Sequence, residues 1–173
     1  MMVWLDLETS ALEPDEGVIL EIAAIVVVPN SLVEGARFHA VLQAPKHMES
    51  AVERMHTESG LLRQCQRSVM TESEAERDLT MWLSDCVQPL YLAGSGVSHF
   101  DMRWLKARMP EAAAMFEYAT IDVGVLRRSL RMMGQTPPVV PESAEAKRHR
   151  AMADVEAHLD EFRRIAEWMN ADE

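Results

Sequence analysis

The sequence predicts an α/β fold in which helices pack on a mixed β-sheet. Strand-like segments occupy residues 3–7, 18–28 and 37–43, and helical and strand signals then alternate toward the C-terminus. This order is typical of a layered α/β domain. The chain has 173 residues, of which 48% are hydrophobic, which is sufficient for one core. We therefore expect a single domain over residues 1–173.

Acidic residues outnumber basic residues, 28 against 17, which gives a formal net charge of −11. This charge argues against a protein that holds long duplex DNA by charge alone. It does not exclude a nucleic-acid enzyme, because bound divalent cations reverse the local field. The two cysteines have no metal-type spacing, the N-terminus lacks the basic segment of a signal peptide, and the longest apolar stretch is too short to cross a bilayer. We therefore expect a cytoplasmic protein without a membrane association.

The N-terminal part predicts a β-hairpin followed by a third strand. Residues 3–7 form the first strand, and the turn at residues 13–17 contains Pro and Gly. Residues 18–28 are rich in β-branched side chains and end before a Pro-Asn pair, as a buried strand would. In residues 37–43 the side chains alternate between two faces, which predicts a third strand.

The C-terminal part predicts helices that alternate with short strands. Thr71 and Glu74 have the spacing of a capping box, and apolar residues then follow at helical spacing. The later elements are predicted in this order: a strand at 90–93, a helix at about 100–108 that Pro110 stops, a strand at 118–123, a helix that ends near Gly134, a proline-rich loop at 136–141, and a helix at about 151–169.

Asp6 and Glu8 are the first candidates for chemistry. Residues two apart on a strand face the same side, so two carboxylates would lie together at the end of an apolar strand. Such a pair repels and is poorly solvated, so it favours a bound cation. The chain has six acid-x-acid pairs in all, so the pattern alone also fits the composition. The buried-strand context distinguishes this pair from the others.

Two further sites complete the set of candidates. His149 and Asp154 stand at the predicted start of the last helix, and Asp101 follows a turn of small residues at the start of another helix. Each has a plainer interpretation. His149 could be a surface histidine among basic neighbours, and Asp101 could be an acidic residue that favours the helix dipole.

In this order the motifs resemble the DEDDh family of 3′→5′ exonucleases, and within it the oligoribonucleases. The resemblance rests on the motifs above and on several further segments. These are WLDLET at 4–9, ILEIA at 19–23, HTESGL at 56–61, MPE at 109–111, IDV at 121–123 and HRA at 149–151. The resemblance implies an RNase H-like fold, with a five-stranded mixed sheet that helices flank.

The resemblance also implies a metal-dependent reaction. By it, Asp6, Glu8, Asp101 and Asp154 would hold two Mg²⁺ or Mn²⁺ ions, and His149 would be the general base. Hard oxygen ligands suit these cations, two such ions stabilise both oxygens of an in-line displacement, and a histidine can accept a proton near neutral pH. Short RNA would then be degraded from its 3′ end to nucleoside 5′-monophosphates.

Three residues are expected to bind substrate by resemblance. Leu12 would separate the terminal bases, His56 would lie near the substrate, and Tyr118 would reach the active site of a partner subunit in a homodimer. The plainer interpretations are a turn hydrophobe for Leu12, a surface loop histidine for His56 and a locally packed strand tyrosine for Tyr118.

The chain departs from the oligoribonucleases where they bind the 5′ phosphate of a short substrate. Ala119 stands where they place an arginine, Gly124 stands where they place a serine, and an Asn-Ser pair is missing near residues 96–98. Arg127 or Arg128 could supply the missing charge.

Two alternative functions stay open. One is an exonuclease for longer single-stranded RNA or DNA, and the other, in a different class, is a non-catalytic binding module on the same fold.

Overall fold

The structure is a computed structural model that describes residues 1–138 and 149–171. Its sheet has five strands in the order β3-β2-β1-β4-β5. The strands are β1 (Met2–Thr9), β2 (Ile19–Val27), β3 (Glu34–Val41), β4 (Tyr91–Gly94) and β5 (Ile121–Asp122). β2 pairs antiparallel with β1 and β3, while β4 pairs parallel with β1 and β5. The five-stranded mixed sheet is confirmed.

Helices cover both faces of this sheet. In the described residues they are α1 (Ser50–Glu58), α2 (Leu61–Cys65), α3 (Glu72–Ser84), α4 (Asp101–Arg108), α5 (Pro110–Ala113), α6 (Val123–Met132) and α7 (Ala151–Asn170). None of the helices in these ranges is long and apolar enough to span a membrane.

The alternation of side chains along β1 divides the core into two layers. Met2 and Trp4 face α7 and pack with its buried residues Val155 and Leu159. Val3, Leu5 and Leu7 face the opposite layer, which contains side chains of α3, α4 and α5. Because residues two apart share a face, Asp6 and Glu8 continue the row of Met2 and Trp4 on the α7 side.

The hairpin that joins β1 to β2 is closely packed. Val18 N–H donates to the Ser10 hydroxyl at 2.8 Å, and Ser10 N–H donates to the Val18 carbonyl at 2.9 Å. A Cβ on Gly17 would lie 2.7 Å from Ser10 Oγ and 2.8 Å from Ala11 Cβ. The turn therefore needs a glycine at this position.

Several boundaries agree with the predictions. Thr71 caps α3 with the reciprocal Glu74 contact of a capping box, α4 starts one residue later than predicted, and α7 ends one residue later. α4 ends at Arg108, before Pro110, as predicted. The predicted strand at 118–123 was too long, because β5 has only two residues.

Three helices were missed. One is the short α5, which Pro110 starts. α1 and α2 fill the interval between β3 and α3, where we predicted no specific element. The predicted proline loop at 136–141 has no regular structure over residues 136–138, and its remainder lies outside the described residues.

Candidate active site

Carboxylates from β1 and α7 converge at one end of the sheet. Asp6, Glu8 and Asp154 each place one carboxylate oxygen so that these oxygens all lie within 4.8 Å of one another. Asp6 and Glu8 come from the same face of β1, as predicted. Asp154 lies on the first turn of α7, and it meets them because Val155 and Leu159 fix α7 against that face.

Asp101 reaches the same region from α4. Its side chain is only 3% exposed, and its Oδ1 accepts the Leu7 backbone N–H at 3.0 Å. Leu7 lies between Asp6 and Glu8, so Asp101 is attached to the segment that carries the other carboxylates. Asp101 lies in the first turn of α4, where an acid favours the helix dipole, but Phe100 is the N-cap residue and no side-chain cap bond is present.

All four carboxyl groups are harder to ionise than in water. Burial raises the pKa of Asp6 well above its usual value, and the charges of Asp101, Asp154 and Glu8 raise it further. Burial, with help from Asp154, raises the pKa of Glu8 to about 8. Burial also raises the pKa values of Asp101 and Asp154. A site that makes its own ligands costly to ionise gains most from a cation that neutralises them.

His149 lies beside this group, just before the start of α7. Its side chain is exposed, and its charge lowers the pKa of Asp154, so the two groups are close. Its φ of 44° lies in the left-handed region, which is uncommon for a residue other than glycine. An exposed imidazole beside the carboxylates can exchange protons with solvent.

His56 is placed differently from either expectation. It is 0% exposed, so the surface-loop interpretation is wrong. Its Nε2 lies 2.9 Å from the Thr9 carbonyl, and its Nδ1 lies 3.9 Å from Glu8 Oε2. Burial lowers the pKa of His56. The structure therefore places His56 behind Glu8, and its contact with substrate stays an untested prediction.

Leu12 and Tyr118 are both available for contact. Leu12 is 68% exposed at the tip of the hairpin, where its carbonyl accepts Arg103 Nη2 at 3.1 Å. Tyr118 is 99% exposed and precedes β5. Local packing of Tyr118 in a strand was therefore wrong, whereas both proposed substrate roles stay predictions.

The region of the missing phosphate contacts holds a different hydroxyl. A Cβ on Gly124 would lie 2.9 Å from Ser95 Oγ and 3.2 Å from Asp122 Oδ1, so the Ser95 hydroxyl occupies the space beside Gly124. Arg127 pairs with the buried Glu161, which makes Arg127 a poor substitute for the lost arginine. Arg128 is exposed.

Sequence reasoning missed one buried charge. Glu21 lies in β2 directly opposite Glu8 in the strand register and is 0% exposed. The ILEIA segment at 19–23 contributes to the resemblance, but no role was predicted for Glu21 itself. The available signal was a lone charged residue within a strand that is otherwise entirely apolar, since a buried acid needs partners.

The donor set fits a hard divalent cation. All the converging groups are carboxylates, and oxygen ligands of this kind suit Mg²⁺ and Mn²⁺. Neither cysteine is part of the group among the residues that the structure describes. The arrangement can therefore hold divalent metal beside an exposed imidazole.

A comparison with known families covers most of the chain. The sequence model described as Exonuclease (RNase_T) matches residues 3–162. The chain is 31% identical to the oligoribonuclease of Idiomarina loihiensis, an alignment that covers 96% of this chain and 92% of the relative. It is 33% identical to the oligoribonuclease of Corynebacterium diphtheriae, with 99% and 84% covered.

Solved structures show the same fold. The structure of E. coli exonuclease I in complex with a 5cy-dA13 oligonucleotide superposes with a TM-score of 0.72 at 14% identity, over 92% of this chain and 39% of that chain. Exonuclease I of Methylocaldum szegediense gives a TM-score of 0.67 at 19% identity, over 96% and 40%. The chain thus spans about two fifths of these larger proteins, and the likeness confirms the RNase H-like fold.

Proposed function

The chain belongs to the exonuclease family, within which its curated relatives are oligoribonucleases, and from this premise we propose that it hydrolyses short oligoribonucleotides from the 3′ end to nucleoside 5′-monophosphates. One observation carries the proposal. The carboxylates of Asp6 and Glu8 meet that of Asp154, from the other end of the chain, within 4.8 Å. We further propose that residues 1–173 act as a single catalytic domain.

The metal site is proposed to consist of Asp6, Glu8, Asp101 and Asp154, which would hold two Mg²⁺ or Mn²⁺ ions. Such ions, when bound, supply the positive charge that stabilises the attacking and leaving oxygens of a phosphoryl transfer. The residues themselves fix the donor atoms. β1 supplies two carboxylates in a rigid strand, α7 supplies the third, and Asp101 is held by the Leu7 N–H.

His149 is proposed to be the general base. It would take a proton from the water that attacks the terminal phosphorus, while the bond from that phosphorus to the 3′ oxygen of the preceding nucleotide breaks. The exposed position of His149 lets the proton pass on to solvent after each turnover.

Substrate would be held around this centre. We propose that the exposed Leu12 contacts the terminal bases and that Tyr118 reaches a neighbouring active site in a homodimer, while His56 acts from behind Glu8. The exposure of Leu12 and Tyr118 supports these roles.

We also propose a cytoplasmic location, which suits a protein whose Cys65 and Cys86 are free thiols.

The test is product analysis on 5′-labelled RNA and DNA of two to twenty nucleotides with Mn²⁺ and then with EDTA. We expect stepwise shortening of RNA from the 3′ end, release of 5′-monophosphates, and loss of activity in EDTA. Asp6→Asn should be inactive, while Asp15→Asn, in the exposed hairpin, is the matched control and should keep full activity. Hydrolysis that survives in EDTA or in Asp6→Asn would contradict the proposal.

A second substrate class has a specific observation in its favour. Ala119 and Gly124 have no side-chain donor with which to hold the 5′ phosphate of a dinucleotide, so longer single-stranded RNA or DNA is the alternative. Equal or faster turnover of ten-nucleotide substrates in the same assay would support it. A non-catalytic module is disfavoured because the carboxylates and His149 are all in place.

A further inference from the structure

Glu21 is a buried acid that is not part of the carboxylate group of the proposed metal site. It lies in the middle of β2, on the strand face that also carries Asp6 and Glu8, and it is opposite Glu8 in the strand register. Every residue of β2 is buried, so Glu21 has no contact with solvent. An acid at such a position must satisfy both oxygens inside the protein.

The Glu21 carboxylate is fully satisfied by three other residues. Its Oε1 lies 2.7 Å from Arg150 Nη2 and 2.7 Å from His39 Nε2. Its Oε2 accepts Arg150 Nε at 3.0 Å and the Ala151 backbone N–H at 3.0 Å. The guanidinium and the carboxylate therefore form a two-point contact with fixed relative orientation.

The contacts with Arg150 and Ala151 act on the start of α7, while His39 belongs to β3. Arg150 is the N-cap residue of α7, and its own side chain makes no cap bond. The N–H groups at a helix N-terminus need outside acceptors and favour negative charge. Glu21, in the neighbouring strand β2, supplies an acceptor and a negative charge, because its carboxylate accepts the Ala151 N–H. Arg150 Nη2 also donates to Gln64 Oε1 of α2 at 3.0 Å, which attaches the same point to a second element.

We propose that Glu21 and Arg150 are positioning residues for the reaction: they fix the start of α7 so that His149 and Asp154 stay in register with Asp6 and Glu8. The inference rests on the proposed function. His149 immediately precedes Arg150, and Asp154 follows within one helical turn. A shift of α7 would therefore displace the proposed base and a proposed metal ligand together.

The physical cost of this arrangement supports the inference. A buried ion pair contributes little net stability, because desolvation offsets most of the attraction. Such a pair instead fixes the relative position of its two side chains and of the elements that carry them. His149 has a φ of 44°, an unfavoured backbone conformation that persists only where its surroundings impose it. Among the residues that the structure describes, the contacts of Glu21 with Arg150, the next residue, are in a position to impose it.

The same helix offers a matched control. Arg163 of α7 pairs with Glu34 of β3 at 3.0 Å and donates to the Leu32 carbonyl at 2.8 Å. This pair also joins α7 to the sheet, but it lies about 13 Å along the helix from Asp154, at 1.5 Å per residue. A purely structural role for Glu21 predicts that the two pairs behave alike.

The experiment compares Glu21→Gln, Arg150→Gln, their double variant and the control Glu34→Gln. For each we would measure kcat and KM on a 5′-labelled RNA trinucleotide with Mn²⁺, Mn²⁺ affinity by calorimetry, and hydrogen exchange along α7. We expect kcat to fall 10–100-fold in Glu21→Gln, as for residues that orient metal ligands, with KM within threefold. Mn²⁺ affinity should weaken, and exchange should rise at residues 151–154 only.

The double variant should be no more than threefold worse than either single variant, because groups that act as a unit are not additive. Glu34→Gln should keep kcat within threefold and raise exchange at the far end of α7. Should Glu21→Gln fail to fold, Arg150→Lys keeps the charge without the two-point contact and should lower kcat about tenfold at unchanged thermal stability.

The inference would be overturned by equal kcat losses in Glu21→Gln and Glu34→Gln, by a change in KM alone, or by uniform exchange along α7. It would also be overturned by full activity of Arg150→Lys. These results differ from failure of the proposed function, in which the wild-type protein itself does not hydrolyse RNA. In that case the Mn²⁺ affinities and the exchange pattern still decide whether Glu21 positions α7.

Discussion

Removal of divalent ions should make the stability of this protein fall as the pH rises from about 5 to 8. Burial and the charge of Asp154 raise the pKa of Glu8 from 4.5 to about 8. The folded state therefore keeps a proton that the unfolded chain has already lost, so its contribution to stability is present below pH 4.5 and is lost as the pH rises through about 8. Asp6 and Asp101 have raised pKa values and act in the same direction. The lowered pKa values of the buried His56 and of His158 oppose part of this loss in the same pH range.

The size of this effect follows from Glu8 alone. A pKa that moves from 4.5 to about 8 corresponds to roughly 5 kcal/mol of preference for the protonated form, at 1.36 kcal/mol for each tenfold change. Side-chain relaxation and water entry reduce the cost of a buried charge. We therefore expect a loss of about 2–4 kcal/mol between pH 5 and 8, or roughly 4–16 °C in Tm for a domain of this size.

The assay is thermal and urea unfolding in EDTA and in Mn²⁺ at several pH values. Mn²⁺ should stabilise the protein more at pH 8 than at pH 6, because its ligands must be deprotonated. Glu8→Gln should be more stable than the wild type in EDTA at pH 8 and should gain little from Mn²⁺. Glu58→Gln, on the exposed end of α1, is the control and should follow the wild type.

A stability in EDTA that is flat or rises between pH 5 and 8 would refute this reasoning, as would a Glu8→Gln variant that is less stable than the wild type at pH 8. Either result would mean that Glu8 is already compensated in the folded protein without metal.

Four further outcomes are expected. Asp101→Asn should abolish hydrolysis with a melting temperature near that of the wild type, checked by assay and by thermal unfolding. His149→Ala should lower kcat by about 10²–10⁴, the usual size of general-base catalysis, with Mn²⁺ affinity retained in calorimetry. Tyr118→Ala should lower kcat/KM, and light scattering should show the wild type as a dimer; a fully active wild-type monomer would contradict this. The rates on RNA of two and of seven nucleotides should agree within about tenfold. If the Ser95 hydroxyl replaces the missing donor, Ser95→Ala should lower the rate on the dinucleotide more than the rate on the seven-nucleotide RNA.

The fold could be predicted where local signals and burial agree. The apolar hairpin strands, the capping box at Thr71 and the long amphipathic α7 all have a strong local pattern, and the structure contains each of them. Strand periodicity predicted that Asp6 and Glu8 share one face, whereas Asp154 was placed with them only by the resemblance to the DEDDh exonucleases.

Other features depend on tertiary contacts that no local pattern encodes. α1 and α2 lie in a polar segment, and α2 packs on the end of β2 through Leu61 and Cys65. β5 is short because only Ile121 and Asp122 pair with β4. From the sequence, His56 was interpreted as a surface histidine. That interpretation failed because the burial of His56 against Thr9 comes from the packing of α1 on the hairpin.

The bond between Asp101 and the Leu7 N–H bears on how this fold can change over evolutionary time. An unpaired buried N–H costs about 1–3 kcal/mol, so alanine at position 101 would damage the sheet as well as the metal site. Asparagine still offers an oxygen to Leu7. A descendant that has lost catalysis is free to replace Asp6 and Glu8, and it would gain stability by losing their repulsion. At position 101, by contrast, we expect descendants to retain Asp or Asn. Retention of a carboxamide there, with Asp6 and Glu8 replaced, would mark a former nuclease.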